Sequence, residues 1–191
     1  MRDYGFVHLS AGDLLRAHMK SGSPDGQMVA DMIANGQIVP SSVTVNLLKG
    51  AIAAAKAASG ARKFLVDGFP RNAENRDAWE QHVRGRPACV CISVCMLTWR
   101  VVAQAGYDCE MVLFFDVPEA VMEARLLGRN EGRTDDNLET IRKRFKVFSD
   151  STQPVVAHYE ARGKVARVAG VGTPAEVYDA TKPHFERFKN I

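Results

Sequence analysis

The sequence lacks the features that mark several large classes of protein. Its longest apolar run, ACVCISVCML at 88–97, has ten residues, whereas a membrane-spanning helix needs about twenty. The first residues, MRDYGFVHLS, contain neither an apolar core nor a small-residue cleavage site, so we expect no secretory signal peptide. There is no long block of lysine or arginine, and the net charge is +3. This mild charge suits an anionic ligand but predicts no nucleic-acid surface and no membrane partner.

Cysteine is scarce and poorly placed for cross-linking. The chain has four cysteines, of which Cys89, Cys91 and Cys95 share one short apolar run. Residues two apart in a strand lie on the same face, about 6.6 Å apart with parallel Cβ directions, so Cys89 and Cys91 are badly placed to pair. The run has no paired CxxC spacing and no partner histidine cluster, which argues against a zinc site. We therefore expect a reducing, cytoplasmic setting, with the nucleus and organelles left open.

Two further absences concern chemistry. The five histidines are scattered along the chain, and we assign them no catalytic role. No G-x-x-x-x-G-K-[ST] sequence occurs among the 191 residues. That motif gives nucleotide phosphates a cradle of backbone N–H groups and a lysine. Any phosphate contact made by these 191 residues therefore depends on other residues.

What is present is an alternation of short apolar strands with helical stretches. The pattern predicts strands at 5–10, 63–68, 111–117 and 164–170. It predicts helices at 11–20, 24–35, 41–58, 72–83, 118–128, 137–161 and 174–188. Ser10 and Thr173 are placed to cap the first and last of these helices. Apolar strands alternating with helices of this length indicate parallel βαβ units and a single α/β domain.

The stretch FLVDGFPRNAEN concentrates polar groups at the end of a predicted buried strand. Ligands of an open parallel sheet collect beyond the carboxyl ends of its strands, which is where Asp67 lies. Gly68 permits close backbone approach, and Pro70 fixes the turn. Arg71 then offers a fork of donors suited to phosphate, and the Asn75 amide suits a nucleobase edge. An Asp-Gly turn that starts a helix needs no ligand, so this stretch alone leaves both interpretations open.

Arginines accompany that stretch. Guanidinium groups recur in this mildly charged chain, at Arg16, Arg71, Arg129, Arg133, Arg142 and Arg144. Two of them, Arg129 and Arg133, flank a short glycine-containing loop of the kind that forms a mobile lid. Converging guanidinium groups suit phosphoryl transfer, whose transition state spreads charge over oxygens. We expect Arg16, Arg71 and Arg133 to be functional, and Arg142 to be a solvated side chain on a helix.

Five motifs occur in an order that resembles one family. LSAGDLLR, GQIVP, DGFPRNAEN, GRTDDN and STQPVV resemble the nucleoside monophosphate kinases, and most of all the UMP/CMP kinases. The resemblance covers residues 3–83 and 105–188. It implies a P-loop-NTPase-like parallel sheet flanked by helices. It also implies a monomer, as in intact members of the family. It also implies transfer of a phosphoryl group from ATP, with Mg²⁺, to UMP or CMP.

The resemblance also implies site residues. Those for the acceptor nucleotide are Arg16 at its phosphate, Asn75 at its base, and Gln37, Ile38, Val39, Gly68, Phe69, Pro70 and Arg71 around it. Arg129 and Arg133 would close from the lid onto the ATP phosphates, with Arg144 on the returning helix. The backbone near Gly172 would meet the adenine of ATP. Asp67 would help to place Mg²⁺ through water.

Two details of the resemblance favour a pyrimidine acceptor. At the turn that follows Asp67, adenylate kinases carry GFPRT, with a glutamine as the base-reading residue. This chain has GFPRN, with Asn75 as that residue. Adenylate kinases also usually carry threonine where this chain has Ala11. Adenylate kinase activity is the alternative. The lid sequence, RNEGR, is short and has no cysteine, so a zinc-bearing lid is not expected.

The chain departs from the family pattern at its start. The family opens with a central strand, a GxPGxGKGT loop and a helix, and none of these precedes DYGFVHLS here. We therefore expect a single domain over 1–191 with an acceptor-binding helical segment at about 11–60 and a lid at about 129–137, but without its central strand. Unpaired backbone on both sides of that gap would be costly, and little turnover is expected. The alternative functions are a module that holds a nucleoside monophosphate without turnover, and a non-functional product of a faulty gene model.

A second departure is an insert of about twenty residues at 84–104. Our hypothesis is that it is a translated intron, since codons for Val83 and Gln104 can supply splice-site-like ends. The alternative is that CVCISVCML, which is apolar and β-branched like a buried strand, fills the empty centre of the sheet.

Overall fold

The computed structural model describes residues 2–81, 89–94, 109–128 and 137–189. These residues contain one five-stranded parallel sheet whose strands lie in chain order. The strands are β1 (Val7–Ser10), β2 (Lys63–Asp67), β3 (Cys89–Val94), β4 (Cys109–Asp116) and β5 (Val165–Ala169). The predicted α/β class with a parallel sheet is confirmed, and all four predicted strands are found.

Helices follow the strands where the sequence predicted them. They are α1 (Ala11–Met19), α2 (Pro24–Ala34), α3 (Ser41–Ser59), α4 (Ala73–Gln81), α5 (Glu119–Leu127), α6 (Leu138–Val147), α7 (Gln153–Glu160) and α8 (Pro174–Phe185). A π-helical turn, Phe148–Thr152, joins α6 to α7, so the helix predicted at 137–161 contains one wide turn. None of the described helices is long and apolar enough to cross a bilayer.

The strand β3 comes from the insert and takes the central place in the sheet. Its backbone pairs in parallel with β2, from Lys63 opposite Cys89. On its other side it pairs with β4, up to Val94 opposite Phe114. The gap expected between β2 and β4 is therefore filled, and the alternative hypothesis for this segment is confirmed.

The physical reason lies in the backbone of β2 and β4. Without a neighbour, each strand would leave a row of N–H and C=O groups unpaired, which is costly in a buried sheet. The β-branched sequence of β3 suits a strand that pairs on both edges. Residues 84–88 and 95–104 of the insert lie outside the described residues, and its origin as a translated intron remains a hypothesis.

The two faces of the sheet bury different helices. Phe64 and Val66 of β2 are fully buried in one cluster with Leu48 of α3 and Val155 of α7. Leu65, which lies between them, faces the other way and joins a second cluster, which includes residues of β4, β5 and α8. This alternation follows from the two-residue period of a strand. The sheet is therefore covered on both faces, as parallel sheets are.

Both predicted helix caps are confirmed. The Ser10 side chain accepts a hydrogen bond from the Asp13 backbone N–H at 3.2 Å. Thr173 forms a full capping box: its Oγ1 accepts from the Glu176 N–H at 3.3 Å, and Glu176 Oε2 accepts from the Thr173 N–H at 2.7 Å. That backbone hydrogen bond, followed by the one from the Thr173 hydroxyl, holds the pKa of Glu176 below its usual value.

Candidate functional site

The carboxyl ends of β1 and β2 lie side by side, because the last pair in their register is Ser10 opposite Asp67. The chain leaves β1 directly into α1, which Ser10 caps. It leaves β2 through Gly68, whose φ of +86° lies in the region that side chains disfavour. The start of a helix and a tight turn therefore face each other at one edge of the sheet.

Two glycines let these backbones meet. A Cβ on Gly68 would lie 3.3 Å from the Gly12 nitrogen and 3.4 Å from the Ala11 Cβ. The same Cβ would lie 3.7 Å from Arg71 Nη2, and a Cβ on Gly12 would lie 3.3 Å from Arg16 Nη2. The guanidinium groups of Arg16 and Arg71 therefore converge on one corner of backbone. Such a pair, beside the amino end of a helix, suits a phosphate.

Local contacts hold both arginines. Arg71 Nε donates to the Gly68 carbonyl at 3.2 Å, which folds the side chain back over its own turn. Arg16 Nη2 lies 2.5 Å from Asp13 Oδ1, and the Arg16 side chain is 32% exposed. Both guanidinium groups are thus held in place at the cleft, and Arg16 remains accessible to a ligand.

Asn75 lies behind the Arg71 turn and is only 3% exposed. Its Oδ1 accepts from the Arg71 backbone N–H at 3.0 Å, and its Nδ2 donates to Ser41 Oγ at 2.7 Å. Ser41 begins α3 and is itself buried. The amide therefore ties the turn to α3. These two bonds use one N–H and one oxygen lone pair of the amide, which has two of each.

An open cleft at this edge brings most of the predicted residues together. The predicted residues that line it are Arg16, Gln37, Ile38, Val39, Asp67, Gly68, Phe69, Arg71, Asn75 and Arg144. Sequence reasoning missed further lining residues, namely Ser10, Gly12, Asp13, Leu15, Ile33, Gly36 and Thr44. Most of these are small or apolar, so their side chains gave no signal of a polar site.

The lining of the cleft contains apolar and charged side chains. Leu15 and Val39 are buried and pack in one cluster with Val29, and we call them the apolar side. Arg16 and Arg71, which converge on the Gly12–Gly68 corner, are called the cationic side. Asp13 and Asp67 also belong to the lining. A ligand with a largely apolar body and an anionic end matches this lining.

His8 is a further residue that sequence reasoning missed, since the histidines were assigned no role. Its Nε2 lies 2.6 Å from Asp67 Oδ2, although its side chain is 41% exposed. The strand register explains the contact, because His8 on β1 lies two residues before Ser10, the partner of Asp67. The contact holds the Asp67 carboxylate, which lines the cleft.

Some predicted residues lie elsewhere. Arg142 is 68% exposed, and its Nε lies 4.0 Å from Glu123 Oε2 on α5, as expected for a solvated side chain.

Gly172 lies between β5 and α8 and does not line the cleft; its carbonyl accepts from Arg125 Nη2 at 3.4 Å. Pro70 is buried and does not line the cleft either. The predicted lid arginines, Arg129 and Arg133, lie outside the described residues.

Known proteins resemble this chain over most of its length. The family model described as "Adenylate kinase" matches residues 1–97. UMP-CMP kinase 3 of Arabidopsis thaliana is 49% identical over 182 residues, which cover 95% of this chain and 77% of that protein. UMP-CMP kinase 3 of Oryza sativa subsp. japonica is 46% identical over 188 residues, or 98% of this chain and 77% of the relative. The uridylate kinase of Saccharomyces cerevisiae (strain ATCC 204508 / S288c) is 38% identical over 181 residues, with 93% and 77% covered.

Proposed function

The chain belongs to the adenylate kinase family, as a nucleoside monophosphate kinase of the UMP-CMP kinase type, and we propose that it transfers the terminal phosphoryl group of ATP to UMP or CMP. The observation that carries the proposal is the convergence of Arg16 and Arg71 on the Gly12–Gly68 corner. Each part of the acceptor nucleotide has a matching part of the cleft.

The phosphate of the acceptor binds at the cationic side. A phosphate oxygen of UMP attacks the γ-phosphorus of ATP, a new P–O bond forms, and the bond to the bridging β–γ oxygen breaks to release ADP. Charge on the transferred group and its neighbours must be stabilised throughout. Arg16 and Arg71 serve the acceptor phosphate, and Arg71 with Arg144 faces the transferred group. Arg129 and Arg133 complete this set from the lid in our proposal.

The base of the acceptor lies at the apolar side, beside Ile38 and Val39. In our proposal the second N–H and the second oxygen lone pair of the Asn75 amide face the base as a donor and an acceptor. Uracil offers the complementary pair O4 and N3–H, and cytosine offers N3 and N4–H. One fixed amide can therefore read both pyrimidines, which supports UMP and CMP as alternative acceptors. Related pairs on purines make AMP a competing substrate that must be tested.

The residues that line the cleft fit a magnesium ion that is held mainly by the nucleotide. Mg²⁺ prefers oxygen ligands and usually keeps several waters. The described residues include no cluster of three or more candidate metal ligands, but Asp67 places one carboxylate at the cleft, held by His8. Asp67 would hold the ion through water, and the ion would neutralise phosphate charge during transfer.

The proposal is tested by UDP formation from ATP, Mg²⁺ and UMP in a coupled assay. Arg71→Ala should lower kcat/KM for UMP by about a hundredfold or more, as loss of a transition-state donor does. Arg142→Ala is the matched control, because it removes an exposed guanidinium away from the cleft and should change the rate by less than about twofold. Turnover that survives Arg71→Ala unchanged would contradict the proposed site. Faster turnover of AMP than of UMP or CMP would instead indicate adenylate kinase activity.

A second function, binding without turnover, is favoured by one specific feature. The 191 residues contain no G-x-x-x-x-G-K-[ST] sequence, whereas the acceptor cleft is assembled. Calorimetric titration of UMP separates the two functions. UMP binding that needs Arg71, with no UDP formed by this chain, would identify a nucleoside monophosphate-binding module.

A further inference from the structure

Two side chains hold the backbone of Arg71, one on each side of its Cα atom. Asn75, four residues further along the chain, accepts from the Arg71 N–H at 3.0 Å. On the opposite side, Thr152 Oγ1 donates to the Arg71 carbonyl at 2.8 Å, across 81 residues of sequence. The Arg71 side chain leaves from between these two anchors, so they fix the direction in which it starts.

Thr152 reaches this position because of the π-helical turn at Phe148–Thr152. A π-helical turn holds more residues than the 3.6 of an α-helical turn, so it rotates α7 relative to α6. Phe148, at its start, packs on Phe114 of β4 with ring centroids 6.4 Å apart. Val155 is fully buried just after the turn. The turn is therefore anchored at both ends, and Thr152 is only 7% exposed.

We propose that Thr152 is a positioning residue that aims Arg71 at the phosphate of the acceptor nucleotide. This inference rests on the proposed function of the cleft. Thr152 does not line the cleft itself, so it acts through the Arg71 backbone. Without the Thr152 hydroxyl the Arg71 carbonyl loses this donor, and the turn that carries the guanidinium group loses an anchor. Wide helical turns of this kind recur at functional sites.

Three variants separate positioning from packing. Thr152→Val removes the hydroxyl at nearly constant volume, and Thr152→Ser retains it. Ser149→Ala is the matched control, because it removes an exposed hydroxyl from the same π-helical turn. We expect Thr152→Val to weaken UMP binding by about tenfold, the value of one hydrogen bond. Thr152→Ser and Ser149→Ala should stay within about twofold of the wild type.

Uridine is the second ligand of this test, because it has the base but no phosphate. We expect Thr152→Val to leave uridine binding unchanged, and to add little to Arg71→Ala when UMP binding is measured in the double variant. Equal losses for UMP and uridine, or an undiminished effect in the Arg71→Ala background, would show that Thr152 acts only on general packing and would overturn the inference.

Amide hydrogen exchange keeps the inference testable apart from activity. Thr152→Val should speed exchange at residues 68–72, and Ser149→Ala should not, whether or not UMP is present. A wild-type chain that does not bind UMP would contradict the proposed function, while the exchange result still decides whether Thr152 anchors the turn. Unchanged exchange at 68–72 in Thr152→Val would contradict the anchoring.

Discussion

Replacing Gly68 by alanine perturbs the corner on which the proposed phosphate site depends. The φ of +86° at this position costs a residue with a side chain about 1–2 kcal/mol. The new Cβ would also lie 3.3 Å from the Gly12 nitrogen, a contact that only a shift of α1 or of the turn relieves. We therefore expect the free energy of unfolding to fall by about 2–3 kcal/mol.

Gly60 provides the matched control. It also has a positive φ, +65°, but a Cβ there meets nothing within 4 Å. Gly60→Ala should therefore lower the free energy of unfolding only by the conformational cost, about 1–2 kcal/mol. The difference between the two variants measures the close approach of the β2 turn to α1.

Urea unfolding and UMP titration on both variants complete the test. A shift of the turn moves Arg71 away from Arg16, so Gly68→Ala should weaken UMP binding by about tenfold or more, corresponding to about one lost hydrogen bond to a charged group. Gly60→Ala should leave UMP affinity unchanged. Equal destabilisation by the two substitutions, together with wild-type UMP affinity in Gly68→Ala, would show that the approach of the turn to α1 neither adds strain nor positions Arg71.

The structure supports three further expectations. Asp67→Asn should lower Mg²⁺-dependent turnover by about a hundredfold, with UMP affinity nearly unchanged. Asp116→Asn, at the end of β4, should have little effect on turnover. Loss of UMP affinity in Asp67→Asn would contradict a role of Asp67 at the metal. Thr173→Ala should lower the free energy of unfolding by about 1 kcal/mol in urea, and Ser42→Ala, an exposed serine in the first turn of α3, should not. Because hydrogen bonding lowers the pKa of Glu176 in the folded chain, its contribution to stability is present above the pKa of the unfolded chain and lost as pH falls through the lower folded value. The destabilisation caused by Glu176→Gln at neutral pH should therefore shrink below about pH 4. A difference in the free energy of unfolding between Glu176→Gln and the wild type that stays constant with pH would contradict the capping box.

Much of the fold could be predicted because its signals are local. The apolar run before Asp67 and the helical period after Ser41 each reflect residues close in sequence. Ser10 and Thr173 predicted their helix starts because a cap bonds to an N–H only three residues away. The convergence of Arg16 and Arg71 could also be predicted, since the carboxyl ends of parallel strands lie at one edge of the sheet.

The parts that could not be predicted depend on distant contacts. The place of β3 is set by unpaired backbone on β2 and β4, and only the apolar, β-branched sequence of the insert hinted at it. The hydrogen bond from Thr152 to Arg71 spans 81 residues, and a serine or threonine near a proline is too common to indicate it. The contact of His8 with Asp67 required the register of β1 against β2, which the sequence pattern leaves undetermined.

Calorimetric titration of UMP and of uridine shows whether the Arg16–Arg71 corner binds the phosphate of a nucleoside monophosphate. We expect the wild-type chain to bind UMP at least about a hundredfold more tightly than uridine, as two charge-assisted contacts allow. The double variant Arg16→Ala, Arg71→Ala should bind both ligands with similar affinity. A double variant that still prefers UMP by the wild-type factor would show that the phosphate binds elsewhere.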